Sequence, residues 1–253
     1  MADPGIVWIT GAGSGLGRAT ALRFLRAGAT VAGTARRTET LEAVAAEAAR
    51  MAGKFHILPA DLADPGATAD VVRRMEAEIG PLRLALLNAG THQPMDGRLF
   101  AAATMRSLLE ANVMTVANSL QAALPPMLAR RSGQVAIVAS LAGYRGLPTA
   151  AAYGASKAAL INMAEALRLD LADTGVGVRL VCPGFIRTPL TDRNPFPMPF
   201  LMEADAAAER LWQALEFGRS FEIVFPRRFA LILKLLQLLP YAAYFPLVRR
   251  ATR

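Results

Sequence analysis

The stretch WITGAGSGLGRAT, residues 8–20, closes the apolar run IVWIT and opens a helical pattern, and its reading decides what the rest of the chain must be. Gly11, Gly15 and Gly17 permit a tight turn and close backbone approach, so a diphosphate can lie against the free N–H groups where the helix begins. Thr10, Gly11, Gly13, Ser14, Gly15, Leu16 and Gly17 together form the candidate dinucleotide cradle. Glycines also end strands for steric reasons alone; strand, loop and helix in that order are what favour binding.

Outward from the loop the same alternation repeats. The apolar runs TVAGTA, KFHILPA, LRLALLNAG, GQVAIVAS, GVRLVCPG and FEIVF are separated by longer helical patterns, one of them over residues 38–51. Such alternation implies an α/β fold, a doubly wound parallel sheet with helices on both faces. At 253 residues and 53% hydrophobic content, the chain is expected to form a single domain: residues 1–226 as its dinucleotide-binding and catalytic body, residues 227–253 as an apolar, basic extension. FIRTPLTDRNPFPMPFLMEAD breaks the rhythm, and Pro195, Pro197 and Pro199 predict a loop there.

The end of the second predicted strand reads Thr34-Ala35-Arg36-Arg37, with no carboxylate. At this place beside the adenosine ribose an acidic residue favours the 2′-hydroxyl of NAD, whereas an arginine accommodates the 2′-phosphate of NADP. Arg36 is placed to pair with a phosphate and stack on adenine, with Arg37 as a second candidate; the alternative is a solvated arginine at a helix start. NADP(H) is therefore expected over NAD(H).

Composition narrows the partners. Six of the 28 Lys and Arg residues lie beyond Glu222, the last acidic residue, and the other 22 face 20 Asp and Glu, so the net charge of +8 belongs mostly to the tail. A nearly neutral body with a basic, apolar tail suits a membrane surface or acidic partner better than nucleic acid. Cys182 is a lone cysteine, unable to form an internal disulfide, which fits a reducing compartment; the start MADPGIVWIT lacks the pattern of a secretory signal, and a cytoplasmic setting is expected. His56 and His92 have no partners at metal-ligand spacing, so both read as structural or solvated and no metal is expected.

Tyr153 and Lys157 in YGASK share one helix face. A phenol is a poor acid or base at neutral pH, and a nearby ammonium together with an oxidised nicotinamide ring is expected to favour the phenolate and lower its pKa. Ser140 closes the strand QVAIVAS at the carboxyl edge of the sheet, where its hydroxyl could hold a substrate oxygen.

With these residues in place, the chain resembles the short-chain dehydrogenase/reductase family, a Rossmann-type group, from Val7 to about Phe225. The resemblance rests on Thr10, Gly11, Gly15 and Gly17, then Asp61-Leu62, Asn88-Ala89-Gly90, Asn112, Ser140, Tyr153, Lys157, and Pro183-Gly184 with Thr188, in that order. It implies that Asp61 contacts the adenine amino group and Leu62 supplies a backbone contact. Asn88, Ala89 and Gly90 would support the cofactor, and Asn112 would position a water in a proton relay. Tyr153 would exchange a proton with the substrate oxygen, Lys157 would also hold the nicotinamide ribose, and the backbone near Ile186 with the Thr188 hydroxyl would fix the carboxamide. Ser14 stands where many NADP-preferring members carry a basic residue, and the tail replaces a glycine-rich end that packs in tetramers.

The implied function is NADP(H)-dependent interconversion of a carbonyl and a secondary alcohol on a small-molecule, apolar or lipid-like substrate, within a homodimer formed through the helices after Thr104 and Tyr153. The alternative is a catalytically idle dinucleotide-binding sensor or scaffold at a membrane surface. A lid containing Phe196, Met198, Phe200, Leu201 and Met202 supports the apolar substrate. In the tail, Arg227, Ala230, Lys234 and Gln237 mark a narrow polar stripe in an otherwise apolar helix. Its wide apolar face either packs on the protein, over the cleft or in a dimer, or docks on the cytoplasmic face of an anionic membrane, while the interruptions argue against a membrane span.

Overall fold

The structure is a computed structural model that describes residues 5–193 and 198–251; Phe196, Pro195, Pro197 and Arg253 lie outside the described residues. Seven strands, β1 (Ile6–Thr10), β2 (Thr30–Thr34), β3 (Lys54–Ile57), β4 (Leu82–Leu87), β5 (Gly133–Val138), β6 (Val176–Pro183) and β7 (Glu222–Phe225), form one parallel sheet in the order β3-β2-β1-β4-β5-β6-β7. The helices are α1 (Gly15–Arg26), α2 (Thr38–Ala48), α3 (Pro65–Arg74), α4 (Ala102–Leu109), α5 (Thr115–Arg130), α6 (Ala151–Asp170), α7 (Ala204–Phe217), α8 (Arg227–Leu238) and α9 (Tyr241–Ala251). This is the doubly wound, Rossmann-type sheet that strand-helix alternation predicts.

A strand covered on both faces needs apolar residues at every position, and β1 is buried throughout. Trp8 faces the layer built from Val71, Val72, Leu120, Ala123, Leu160 and Ala164 of α3, α5 and α6. Val7 and Ile9 face the opposite layer, with Leu22, Phe24, Leu41, Val44 and Leu211 of α1, α2 and α7. Trp8 is fully buried, and its indole N–H donates to Thr34 Oγ1 at 2.9 Å, so the ring carries no orphaned donor into the core. Asp64 starts α3 by accepting from the amides of Gly66 and Ala67, at 2.7 and 3.1 Å, with Pro65 in the first turn.

Three local outcomes differ from the sequence pattern. Helix α2 stops at Ala48 instead of residue 51, because the Met51 amide turns back to Ala48 O at 2.8 Å and feeds β3. Between α4 and α5 the helix runs through a wider π turn, Glu110–Met114, which carries Asn112. The apolar tail divides at Pro240: Leu239, just before it, is extended at φ −71°, ψ 137°, and α9 starts anew. No helix among the described residues is long and apolar enough to cross a membrane.

Strand order reverses between β1 and β4, since β2 lies on one side of β1 and β4 on the other. Chains leaving those two strands diverge and open a crevice at the carboxyl edge of the sheet. The candidate cofactor and catalytic residues lie at the ends of strands at that edge, on the segments that leave it, or on the helices beside it.

Candidate active site

The floor of the crevice is the junction of β1 and β4. Thr10, almost fully buried, accepts the amides of Asn88 and Ala89 at its Oγ1, at 2.8 and 2.9 Å, and donates to Leu86 O at 3.4 Å. Asn88 Nδ2 donates back to Thr10 O at 3.1 Å. The side chains of Thr10 and Asn88 thus brace the two strand ends against each other, an internal use that the motif alone does not reveal.

Above this floor the glycine loop passes from β1 into α1. An added Cβ on Gly17 would lie 2.3 Å from Gly11 O and 2.6 Å from Asn88 Nδ2, so only glycine lets the helix start this close to the loop and to Asn88. Gly13 packs against Thr40 at the start of α2. Ser14 is exposed at the α1 N-cap with an extended backbone, and its hydroxyl makes no capping bond. Leu16 is buried below. The first-turn amides of α1 therefore face the crevice under a small, uncharged rim, which suits an anion.

Arg36 and Arg37 follow β2 on the rim. Both are exposed, and among the described residues neither guanidinium has an ion pair. The Arg37 carbonyl accepts from Thr40 Oγ1 at 2.8 Å, so its backbone helps start α2. After β3, Asp61 is exposed and spends Oδ1 on the Ala63 amide at 3.1 Å. Leu62 is buried, and its carbonyl accepts from Asn118 Nδ2 at 2.9 Å; Asn118, which sequence reasoning passed over, pins this loop from α5.

The reacting groups are assembled by α6 and its neighbours. Ser140 lies two residues beyond β5, accepts the Ala142 amide at 3.1 Å, donates to Pro183 O at 3.4 Å, and stands close enough to the Tyr153 phenol to favour its ionised form. Asn112, fully buried in the π turn, pairs with the Thr91 backbone through Oδ1 at 2.7 Å and Nδ2 at 3.0 Å, and donates to Ser156 Oγ at 2.9 Å. Ser156 in turn donates to Tyr153 O at 2.7 Å. The Asn112 side chain is committed to positioning its neighbours, with both amide hydrogens on protein acceptors. Gly90 leaves room for the cluster: a Cβ there would stand 2.9 Å from Asn112 Oδ1 and 3.6 Å from Lys157 Nζ.

Lys157 is buried, donates to Val138 O at 3.0 Å, and lies 5.8 Å from the centre of the Tyr153 ring. Burial lowers its pKa to about 8, with Cys182 opposing the fall. The Tyr153 phenol is raised above its ordinary value, chiefly by burial, with the Ser140 hydrogen bond opposing and Cys182 adding to the rise. Desolvation of the phenol thus outweighs the lowering expected from Lys157, whose ammonium is directed at a main-chain carbonyl.

His92, read from the sequence as structural or solvated, is half-buried, and its ring meets Tyr153 edge-on, centroids 4.5 Å apart and planes at 71°. No spacing rule links residues 92 and 153, and only the β4 loop brings them together. His56 remains half-buried in β3, where burial and Lys54 lower its pKa. Thr149, just before α6, holds a left-handed φ of 57°, a strained conformation for a β-branched residue, and accepts the Met95 amide at 2.8 Å.

On the far wall, Pro183 ends β6, and the Gly184 amide donates to Phe225 O at 2.8 Å. Ile186 is buried and its carbonyl accepts from Thr191 Oγ1 at 2.6 Å. Thr188 returns to the glycine loop: a Cβ on Gly15 would lie 3.2 Å from Thr188 Cγ2. Ends of the crevice that are far apart in sequence are therefore in contact.

The cradle can be tested at its tightest point. Gly17→Ala forces the loop apart and is expected to destabilise the fold by about 1–3 kcal/mol and weaken dinucleotide binding, measured by thermal unfolding and fluorescence titration. Gly97→Ala, where an added Cβ meets nothing within 4 Å, should change neither; equal behaviour of the two variants would contradict the cradle.

The sequence model of the short chain dehydrogenase family matches residues 5–195. An uncharacterised oxidoreductase of Myxococcus xanthus is 38% identical over 242 residues, 96% of this chain and 95% of that protein. A 3-oxoacyl-[acyl-carrier-protein] reductase of Thermotoga maritima is 32% identical over 187 residues, covering 74% of this chain and 76% of the relative. Among solved structures, a short-chain dehydrogenase from Sphingobium yanoikuyae in complex with NADPH superposes with a TM-score of 0.79 at 26% identity, over 94% of this chain and 97% of its own. With a cradle shaped for a dinucleotide and these relatives, the chain belongs to the short-chain dehydrogenase/reductase family and is an NAD(P)-dependent oxidoreductase.

Proposed function

We propose that this oxidoreductase interconverts a carbonyl and a secondary alcohol on an apolar substrate and prefers NADP(H). The observation that carries the reading is the grouping of Ser140, the Tyr153 phenol and buried Lys157 beyond the carboxyl end of β5, with Lys157 Nζ 5.8 Å from the centre of the Tyr153 ring. When bound, the nicotinamide supplies or takes up the hydride. Tyr153, kept neutral by burial, donates its phenolic proton to the carbonyl oxygen in reduction, and in oxidation the alcohol proton passes to its phenolate form. Ser140 holds that oxygen. Lys157 places a positive charge beside the phenol, favouring the phenolate that remains after donation, and holds the ribose. Asn112 and Gly90 keep these groups in register, and His92 orients the Tyr153 ring.

Support for NADP(H) is Arg36, an exposed guanidinium without an ion pair among the described residues, together with the NADPH carried by the Sphingobium relative. Asp61, Leu62, Ile186 and Thr188 would hold the adenine and carboxamide ends. The apolar substrate is supported by a stack of three aromatic rings: Phe229 lies 5.7 Å from Phe185 and 5.8 Å from Phe200, on the segment after β6. The Thermotoga relative is named for reducing 3-oxoacyl groups, a carbonyl on an acyl chain, and that substrate class is the one proposed. A homodimer through α4, α5 and α6 completes the reading.

Three outcomes test it. Tyr153→Phe keeps the ring and its packing but removes the proton, so reduction of acyl-chain ketones should fall about a hundredfold to ten-thousandfold while NADPH affinity holds. KM should be lower for NADPH than for NADH, with the preference lost in Arg36→Ala; a wild-type preference for NADH contradicts the assignment. In the pH profile of kcat/KM for reduction, the rate should be level below about 8 and fall above it, because Lys157 is charged below its lowered pKa and neutral above it, while Tyr153 stays protonated throughout. A profile flat to pH 10 would show that the lysine charge is not required.

A further inference from the structure

Helices α8 and α9 are held on the body by a narrow apolar seam and by polar groups at its edge, and turn most of their other apolar side chains outward. Lys234 and Gln237 remain exposed at that edge: Lys234 pairs with Glu222 of β7, and Gln237 Nε2 donates to Tyr144 O at 2.8 Å. Only Ala230 and Leu233 of α8, and Tyr244 and Val248 of α9, are buried. Arg145 locks the junction by donating to the carbonyls of Leu236, Gln237 and Leu239, the last two at 3.1 and 2.8 Å, with its guanidinium 3.9 Å over the Tyr244 ring. The opposite face is fixed outward: Leu231, Leu235 and Phe245 are exposed, as are Leu238 and Tyr241 at 80% and 69%.

We propose that this face is a docking surface for an anionic lipid bilayer, lying in the plane of the membrane. Charge decides the occupant. Exposed Arg227 and Arg228 open α8, and exposed Arg249 and Arg250 lie in the last turn of α9. No acidic residue follows Glu222, and Lys234 already occupies that one. Apolar residues framed by cations suit the boundary between acyl chains and lipid phosphates, with Tyr241 at the level of the headgroups. A second copy meeting this face about a two-fold axis would set arginines against arginines with no carboxylate between them, which disfavours self-association. Both helices are too short to span, so the contact is peripheral. Phe229, in the first turn of α8, belongs to the aromatic stack after β6, so docking would place that wall of the site beside lipid.

The experiment needs no turnover. Purified full-length protein is sedimented with vesicles of phosphatidylglycerol and phosphatidylcholine in equal parts, or of phosphatidylcholine alone, at low and high salt, and its mass in solution is measured by ultracentrifugation. Binding should be confined to the anionic vesicles, fall about tenfold or more at high salt, and fall as far in the pair R227E/R228E and separately in Leu235→Asp. These side chains are exposed, so melting temperature and NADPH affinity should hold. Failure of the wild type to bind anionic vesicles overturns the proposal, as does binding indifferent to salt and to the arginines. Self-association that Leu235→Asp abolishes, without vesicle binding, assigns the face to a second copy and overturns it equally.

Discussion

The site depends on one hydroxyl. Thr10 Oγ1 takes the amides of Asn88 and Ala89 and gives its proton toward Leu86 O, pinning β1 to β4 where the strand order reverses. If that junction opened, the glycine loop and the Asn88–Gly90 turn would move independently, although one must hold the diphosphate and the other the surroundings of Lys157. Each buried partner in this knot would also be left without a hydrogen bond, a cost of about 1–3 kcal/mol per group. The floor of the crevice is thus a structural device before it is a binding one.

From that floor, positioning passes along a line of saturated polar groups: Thr91 backbone to Asn112, Asn112 to Ser156, Ser156 to the carbonyl of Tyr153. Saturation matters because the surroundings are dry. The same desolvation pushes the phenol up and the ammonium down, so each group moves toward its uncharged form. For a reductase this arrangement is useful: the acid retains its proton at neutral pH, while the lysine, at about 8, remains mostly charged.

The layered sheet, the order of its strands and the place of Ser140, Tyr153 and Lys157 were legible because each rests on local information: apolar runs, turn glycines, an i, i+4 spacing. Three features were not. His92 meets Tyr153 through a loop whose path no periodicity encodes. Thr10 and Asn88 occupy motif positions, but their side chains serve each other, a pairing visible only once β1 and β4 are adjacent. The tail showed its stripe of Lys234 and Gln237 plainly, and a polar stripe ordinarily faces water. Here it stays exposed but also anchors the helix, through Glu222 and the carbonyl of Tyr144. Periodicity defines the faces of a helix, while partners from elsewhere decide what each one holds.

That anchoring ties the surface to the chemistry. The last carbonyls of α8 would be orphaned at the break before Pro240, and Arg145 satisfies them. Arg145 belongs to the segment between Ser140 and Tyr153, and Tyr244 of α9 holds the same segment by donating to Gly146 O. Pulling α8 and α9 away would therefore strand a guanidinium and several carbonyls on the segment that leads to the proton donor. The two helices cannot be a passive appendage: whatever their outer side chains touch, their inner groups fix the loop that leads from the candidate substrate-binding hydroxyl to the catalytic helix.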